Sequence, residues 1–230
     1  MDKHTINVPG VEAFAQPQSR KNFFKALAFA AAGTAVGSTV LTRKAYAQSG
    51  NGDVDIANFA LTLEYLEAEF YANAVDAGVL SGDAAGVVKN LADHEQQHVD
   101  AITGLLKSAG AKPVAKPKFT FPADAFSSQD SILNLAATFE PVGVGAYLGA
   151  ATMIQSPDIL AAAGSIAGVE GEHVVAVNNL LGVVPPANQA MPASLTKDEV
   201  LAAVAPFLGM GGMMDTGGVE YRDRNSFGRV

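Results

Sequence analysis

The chain has 230 residues, a formal net charge of −8 and no cysteine. That length suits one domain with an appendage. The missing thiols exclude disulfides and thiolate metal sites, and the acidic balance argues against nucleic acid as a partner. Apolar residues make up 49 % of the chain, with few aromatics, which favours packed helices over a β-sandwich.

Residues 1–47 read as an export signal. "SRKNFFK" (19–25) precedes an apolar, Ala/Gly-rich run from Ala26 to Leu41, followed by Arg43, Lys44 and the small-residue site "AYA". A basic head, a modest apolar middle and an A-x-A tail describe such a signal, with cleavage expected after Ala47. The run is short and weakly apolar for a membrane span. "SRKNFFK" resembles the twin-arginine export motif S-R-R-x-F-L-K, with Lys21 in place of the second arginine. The resemblance implies an export machinery that carries folded proteins, often with their cofactor inserted, and a periplasmic or extracellular destination. Residues 48–230 carry nine basic and 21 acidic residues, a net charge of −12, and three histidines: His94, His98 and His173.

Four long helical patterns follow. The first runs from about Asp55 to Ala77, with Ile56, Phe59, Leu63, Leu66 and Phe70 at helical spacing. The second begins near Asp83 and ends at Gly110, a C′ glycine. The short connection between them predicts antiparallel packing. "AKPVAKPKFTFPADAF" (111–126) holds three prolines and no sustained period, so it reads as a loop, extended in part. Extended, it can run the length of a bundle, so the third helix can start at the far end from where the second stops.

The third helix is predicted from about Ser128 to Ile154. The fourth opens with Ser156 as N-cap and Pro157 at the first helical position, and ends near Gly182. "TKDE" (196–199) is a capping-box pattern that starts a short helix to about Leu208. The Gly- and Met-rich tail beyond it reads as a flexible end rather than a set of soft metal ligands. Two short loops flanking one long crossover give an all-α four-helix bundle over 48–182, with an extension over 183–230.

Glu95 and His98, in "DHEQQHV", stand three apart and share a helix face. "VEGEHVV" repeats the spacing with Glu170 and His173. In the other two helices, Glu64 stands seven residues before Tyr71 and Glu140 seven before Tyr147, two turns on one face. Glu64 and Glu140 are 76 residues apart, and Glu95 and Glu170 are 75. The chain therefore reads as two similar hairpins, each offering one Glu and then one E-x-x-H. Such a set suits two divalent ions held close together. Four carboxylates offset their mutual repulsion, and two imidazoles add ligands without charge. Oxygen-rich donors with two nitrogens favour Fe or Mn over a softer ion.

Residues 55–182 resemble the ferritin-like superfamily. "NFALTLEYLEAEFY" and "AYLGAA" resemble an exported, stress- or desiccation-associated branch of it. The resemblance implies Glu64, Glu95, His98, Glu140, Glu170 and His173 as ligands of two Fe or two Mn ions. It implies Tyr71 and Tyr147 as hydrogen-bond donors to the ligand carboxylates. It also implies dioxygen or peroxide as a small oxidant, with ferroxidase- or catalase-like chemistry, and it allows a homo-oligomer.

Other readings stand beside these. Glu67 and Glu69 read as solvated or as neighbours of the ligands, with Glu67 an alternative ligand. Glu172 should be exposed, and His94, about 100° around the helix from Glu95, should lie at the surface or between helices. Pro141 directly follows Glu140 and predicts a kink or bulge there. Gly143, Gly145 and Gly149 weaken that helix, or let a neighbouring helix approach closely. Pro141 and these glycines would fit a structural stress protein with a vestigial site. Metal storage without turnover is the remaining alternative.

Overall fold

A computed structural model describes residues 51–187 and 189–208. The predicted export segment and the Gly/Met-rich tail lie outside the described residues. Among those described, the chain forms five α-helices and no strand. They are α1 (Asn51–Asp76), α2 (Gly82–Ser108), α3 (Gln129–Ala151), α4 (Pro157–Leu180) and α5 (Lys197–Val204), the last followed by a 3-10 turn, Ala205–Phe207. Their number and order are those the sequence predicts, and their ends differ by a few residues.

The helix ends follow local chemistry. Ser128 and Ser156 accept from the backbone N–H groups of Ser131 and Ile159, capping α3 and α4. Thr196 and Glu199 form a reciprocal capping box on α5, and these contacts lower the Glu199 carboxyl from its ordinary value. α2 and α4 stop at Gly110 and Gly182, with φ of 75° and 73°. There the next two N–H groups fold back: Ala111 bonds the Leu106 carbonyl at 2.9 Å and Gly110 that of Lys107 at 3.0 Å, while Val183 and Gly182 reach Asn178 and Asn179. This closure needs a left-handed residue, and glycine adopts it without a Cβ penalty.

α1 begins four residues before the predicted start. Its buried Asp53 accepts from the backbone N–H groups of Gln155 and Ser156 at 3.0 and 2.8 Å, tying the first turn to the α3–α4 loop.

α1 packs chiefly on α2, and α3 on α4. The crossover leaves α2 beside the start of α1, where Val114 N–H donates to Asn58 at 2.7 Å. It delivers α3 beside the α1–α2 turn, where Gln129 accepts from Ser81 N–H at 3.0 Å. It therefore runs the length of the bundle, and α3 lies antiparallel to α1. Phe121 and Phe126 of the crossover pack against Phe70, and Phe207 packs edge-on against Phe139. One apolar cluster thus fills the end of the bundle near Phe70 and Phe139. A second, around Leu61, Ile102, Leu106 and Ile166, fills the other. A polar layer lies between them.

α3 runs as one helix through Pro141, the position where the sequence predicts a kink or bulge. Pro141 itself is exposed while Glu140 is fully buried, so the proline ring sits on the outer face and Glu140 stays directed inward. Gly145 and Gly149 serve close approach, but of a loop rather than a helix. A Cβ on Gly149 would lie 1.9 Å from the Leu195 carbonyl oxygen, and one on Gly145 would lie 2.6 Å from Leu195 Cγ. The segment before α5 rests on this stripe, and Leu195 N–H donates to the Gly145 carbonyl at 2.9 Å.

Candidate metal centre

The polar layer collects every residue implied as a ligand. Glu64, Glu95, Glu140 and Glu170 are at most 1 % exposed, with His173 at 2 % and His98 at 5 %. Each comes from mid-helix, where spacings of three and seven put it on the inward face. The ligating atoms form two sets of four, all within 4.8 Å of one another in each set. One holds Glu64, Glu95, His98 and Glu170; the other holds Glu95, Glu140, Glu170 and His173.

The two sets share Glu95 and Glu170, and each shared carboxylate turns one oxygen to each histidine. Glu95 Oε2 lies 3.2 Å from His98 Nδ1, and its Oε1 lies 2.9 Å from His173 Nδ1. Glu170 Oε1 and Oε2 stand 3.1 and 3.7 Å from the same two nitrogens. Glu64 and Glu140 are each tied to one histidine, at 3.1 and 3.3 Å. Their outer oxygens accept from tyrosines across the bundle: Tyr147 donates to Glu64 and Tyr71 to Glu140. Each tyrosine thus braces the carboxylate of the other hairpin.

Several buried atoms here make no hydrogen bond of acceptable geometry: Glu95 Oε1, Glu140 Oε2, both Glu170 oxygens and His173 Nδ1. Their separations fall within ion-pair range, so their distances are suitable and their angles are not. Buried polar atoms normally find partners. A cluster of lone-pair donors left unsatisfied around a common space suits a cation. Gly143 points the same way. A Cβ there would stand 3.1 Å from Glu170 Oε2 and 3.3 Å from Glu67 Oε1, crowding the carboxylates.

Protonation states respond to this crowding. Burial, reinforced by neighbouring carboxylates, holds Glu67 and Glu170 well above the ordinary carboxyl range. Glu140 is also raised by burial. Glu64 is raised by burial to about 7, against the pull of His98. For His98 burial opposes charge, but the carboxylates of Glu170, Glu64 and Glu95 outweigh it and lift the imidazole to about 12. His173, beside Glu140 and Glu95, rises to about 10 despite its burial. Glu95 is driven down to about 2, because both histidines overcome its desolvation. Without a cation, protons therefore neutralise the cluster.

Two neighbours, Glu67 and His94, adjoin the expected set. Glu67 is 4 % exposed, so the solvated reading fails: it faces inward one turn beyond Glu64, yet belongs to neither set of four. Glu69 pairs instead with Lys116 of the crossover at 2.8 Å. His94 lies between helices, half-buried, with Nδ1 3.0 Å from His173 Nε2 and its ring stacked on that of His173. Only its helical phase hinted at this, because its partner lies on another helix. Glu172 is exposed, as expected.

Two helical hairpins joined by a long crossover, enclosing carboxylates and histidines at their middle, define a carboxylate-lined four-helix bundle able to hold metal. A family model for the ferritin-like domain matches residues 52–183, more than half of the chain, and the chain belongs to the ferritin-like family. No curated protein matches it.

Proposed function

We propose that this is an exported protein that binds two Fe or Mn ions as a dinuclear centre and works in redox stress protection, with dioxygen or peroxide as its oxidant. The observation that carries the reading is the sharing of Glu95 and Glu170 between two four-donor sets, with one oxygen of each facing each histidine. Glu64 and His98 would complete one position, and Glu140 and His173 the other. Iron or manganese bound there supplies one-electron exchange with a small oxidant. The chain's own residues hold and shield it. Tyr71 and Tyr147 fix the orientation of Glu140 and Glu64, and His94 holds the far nitrogen of His173. Glu67 lies beside Glu170, where Gly143 leaves room for both carboxylates, and the apolar clusters at both ends exclude water. Pro141, on the outer face, leaves Glu140 directed inward, and Gly143, Gly145 and Gly149 sit where a Cβ would crowd its neighbours.

Metal analysis of protein from its native compartment tests this. About two Fe or Mn per chain are expected, falling in Glu95→Ala and His173→Ala. Wild-type protein without metal under metal-replete conditions would sink the reading. Fe(II)-oxidation and peroxide-dismutation assays then identify the chemistry, and metal retention with no turnover in either would leave storage. The export reading rests on residues 19–47. It expects an N-terminus at Gln48 in the secreted fraction, and recovery only of the intact chain from the cytoplasm would refute it.

A further inference from the structure

The bundle also contains a cleft of about 360 Å³, walled by α1 to α4 and by the segment from Leu195 to Val200 and open to solvent on one side. Small side chains on three helices, Ala60, Ala146 and Ala163, leave it open. Its remaining wall is fixed by the bond from Leu195 N–H to Gly145 and by the close seat of Leu195 on Gly149. Asp55, Met153 and Lys197 line it and are exposed, so they form its rim. Ile102, Tyr147 and Ile166 line it and are buried, so they form its inner wall. The Tyr147 hydroxyl is already donated to Glu64. The inner wall is therefore apolar, and Tyr147 links it to the carboxylate cluster.

A concave, mostly apolar cleft of this size is a costly surface to leave to water. This one has the volume of about a dozen waters at ~30 Å³ each, yet its lining offers them few partners. Its size and character are those of a small-molecule site with an apolar body and a few polar groups at one end. The rim carries one acid and one base, Asp55 and Lys197, so it presents no net charge to a head group. Lys197 is held over the Phe59 ring, 5.2 Å from its centroid.

We propose that this cavity binds a neutral single-chain amphiphile of about a dozen carbons, with its hydrocarbon tail against Tyr147 and an uncharged head, such as a hydroxyl, between Asp55 and Lys197. The site stands independently of the metal reading, and binding is expected with and without iron or manganese.

Calorimetric titration of the full chain with 1-alkanols of six to fourteen carbons tests it. Affinity should rise about fourfold for each added methylene, then stop rising near twelve carbons, when the cavity is full. Decanol should bind more tightly than decanoate or decylamine. Ala60→Phe and Ala163→Phe, which fill the space, should each weaken decanol binding at least tenfold with helix content retained. The proposal is overturned by absence of saturable binding, by affinity that keeps climbing past twelve carbons, by preference for a charged head, or by binding that survives both substitutions. The chain-length limit is read on the unmodified chain and decides the matter even if a variant misfolds.

Discussion

His173 is gripped at both ring nitrogens: Nδ1 faces Glu95 and Glu140, and Nε2 meets Nδ1 of His94. A histidine that gives Nδ1 to a metal must carry its proton on Nε2, and His94 is placed to accept it. His94→Leu should weaken metal binding by about 10–100-fold, the usual cost of losing such an outer contact. His94→Asn, whose side-chain oxygen also accepts, should recover part of the loss. Competition with a chelator measures both, and equal affinities for wild type and His94→Leu would show the contact to be idle. The Glu and His pairs themselves are legible in the sequence, because helix geometry alone puts residues three apart on one face. His94 is not, because its role is set by a residue 79 positions away and by the angle between two helices. Glu67 is a similar case: its inward phase can be read from its place one turn past Glu64, but its burial depends on Gly143 leaving room across the bundle.

At the scale of elements, α3 shows where pattern and cause separate. Its glycines and its proline are plain in the sequence, and taken alone they describe a weak helix with a kink or bulge. In the fold the proline is accommodated and each of these glycines has a local reason. Pro141 faces solvent, Gly143 clears space for carboxylates, and Gly145 and Gly149 seat Leu195. The last of these reasons depends on a segment more than forty residues downstream, which no local period reveals. Helix order, the long crossover and the capping box of α5 were all readable, since each rests on short-range chemistry. Gly149→Ala should force the Leu195 segment off α3 and cost about 1–3 kcal/mol, the usual penalty of overpacking. Chemical denaturation measures it. Gly164→Ala is the control: a Cβ there meets nothing within 4 Å, and the change should be neutral or mildly stabilising. Equal stability of the two variants would mean that the contact at Gly149 relaxes without cost.

For the whole molecule, the buried cluster makes stability depend on pH in a direction that metal should reverse. Glu64, Glu67, Glu140 and Glu170 have folded pKa values above their free value of 4.5, with Glu64 at about 7. Through that window the metal-free fold holds more protons than the unfolded chain, so its stability falls as pH rises. His98 and His173, lifted from 6.5 to about 12 and about 10, act in the same sense. Their contribution is complete below pH 6.5 and is lost as pH climbs towards the folded values. Within the cluster Glu95 alone opposes: its stabilisation is present above 4.5 and is lost as pH falls towards 2. Metal-free protein should therefore melt at a lower temperature at pH 8 than at pH 5, by about 2–4 °C for each kcal/mol lost. Loading with Fe(II) or Mn(II) at pH 6.5 should release protons and flatten or invert that slope. A metal-free melting temperature that rises over this range would contradict the protonation pattern.

The crossed tyrosines also bear on inheritance. Tyr71 serves a carboxylate 69 residues further along the chain, and Tyr147 serves one 83 residues before it. Each hairpin thus carries the brace for the other's glutamate. A hairpin exchanged for one that lacks its tyrosine would strand a buried oxygen in the half that was left untouched. Each half of the chain therefore limits what the other can lose.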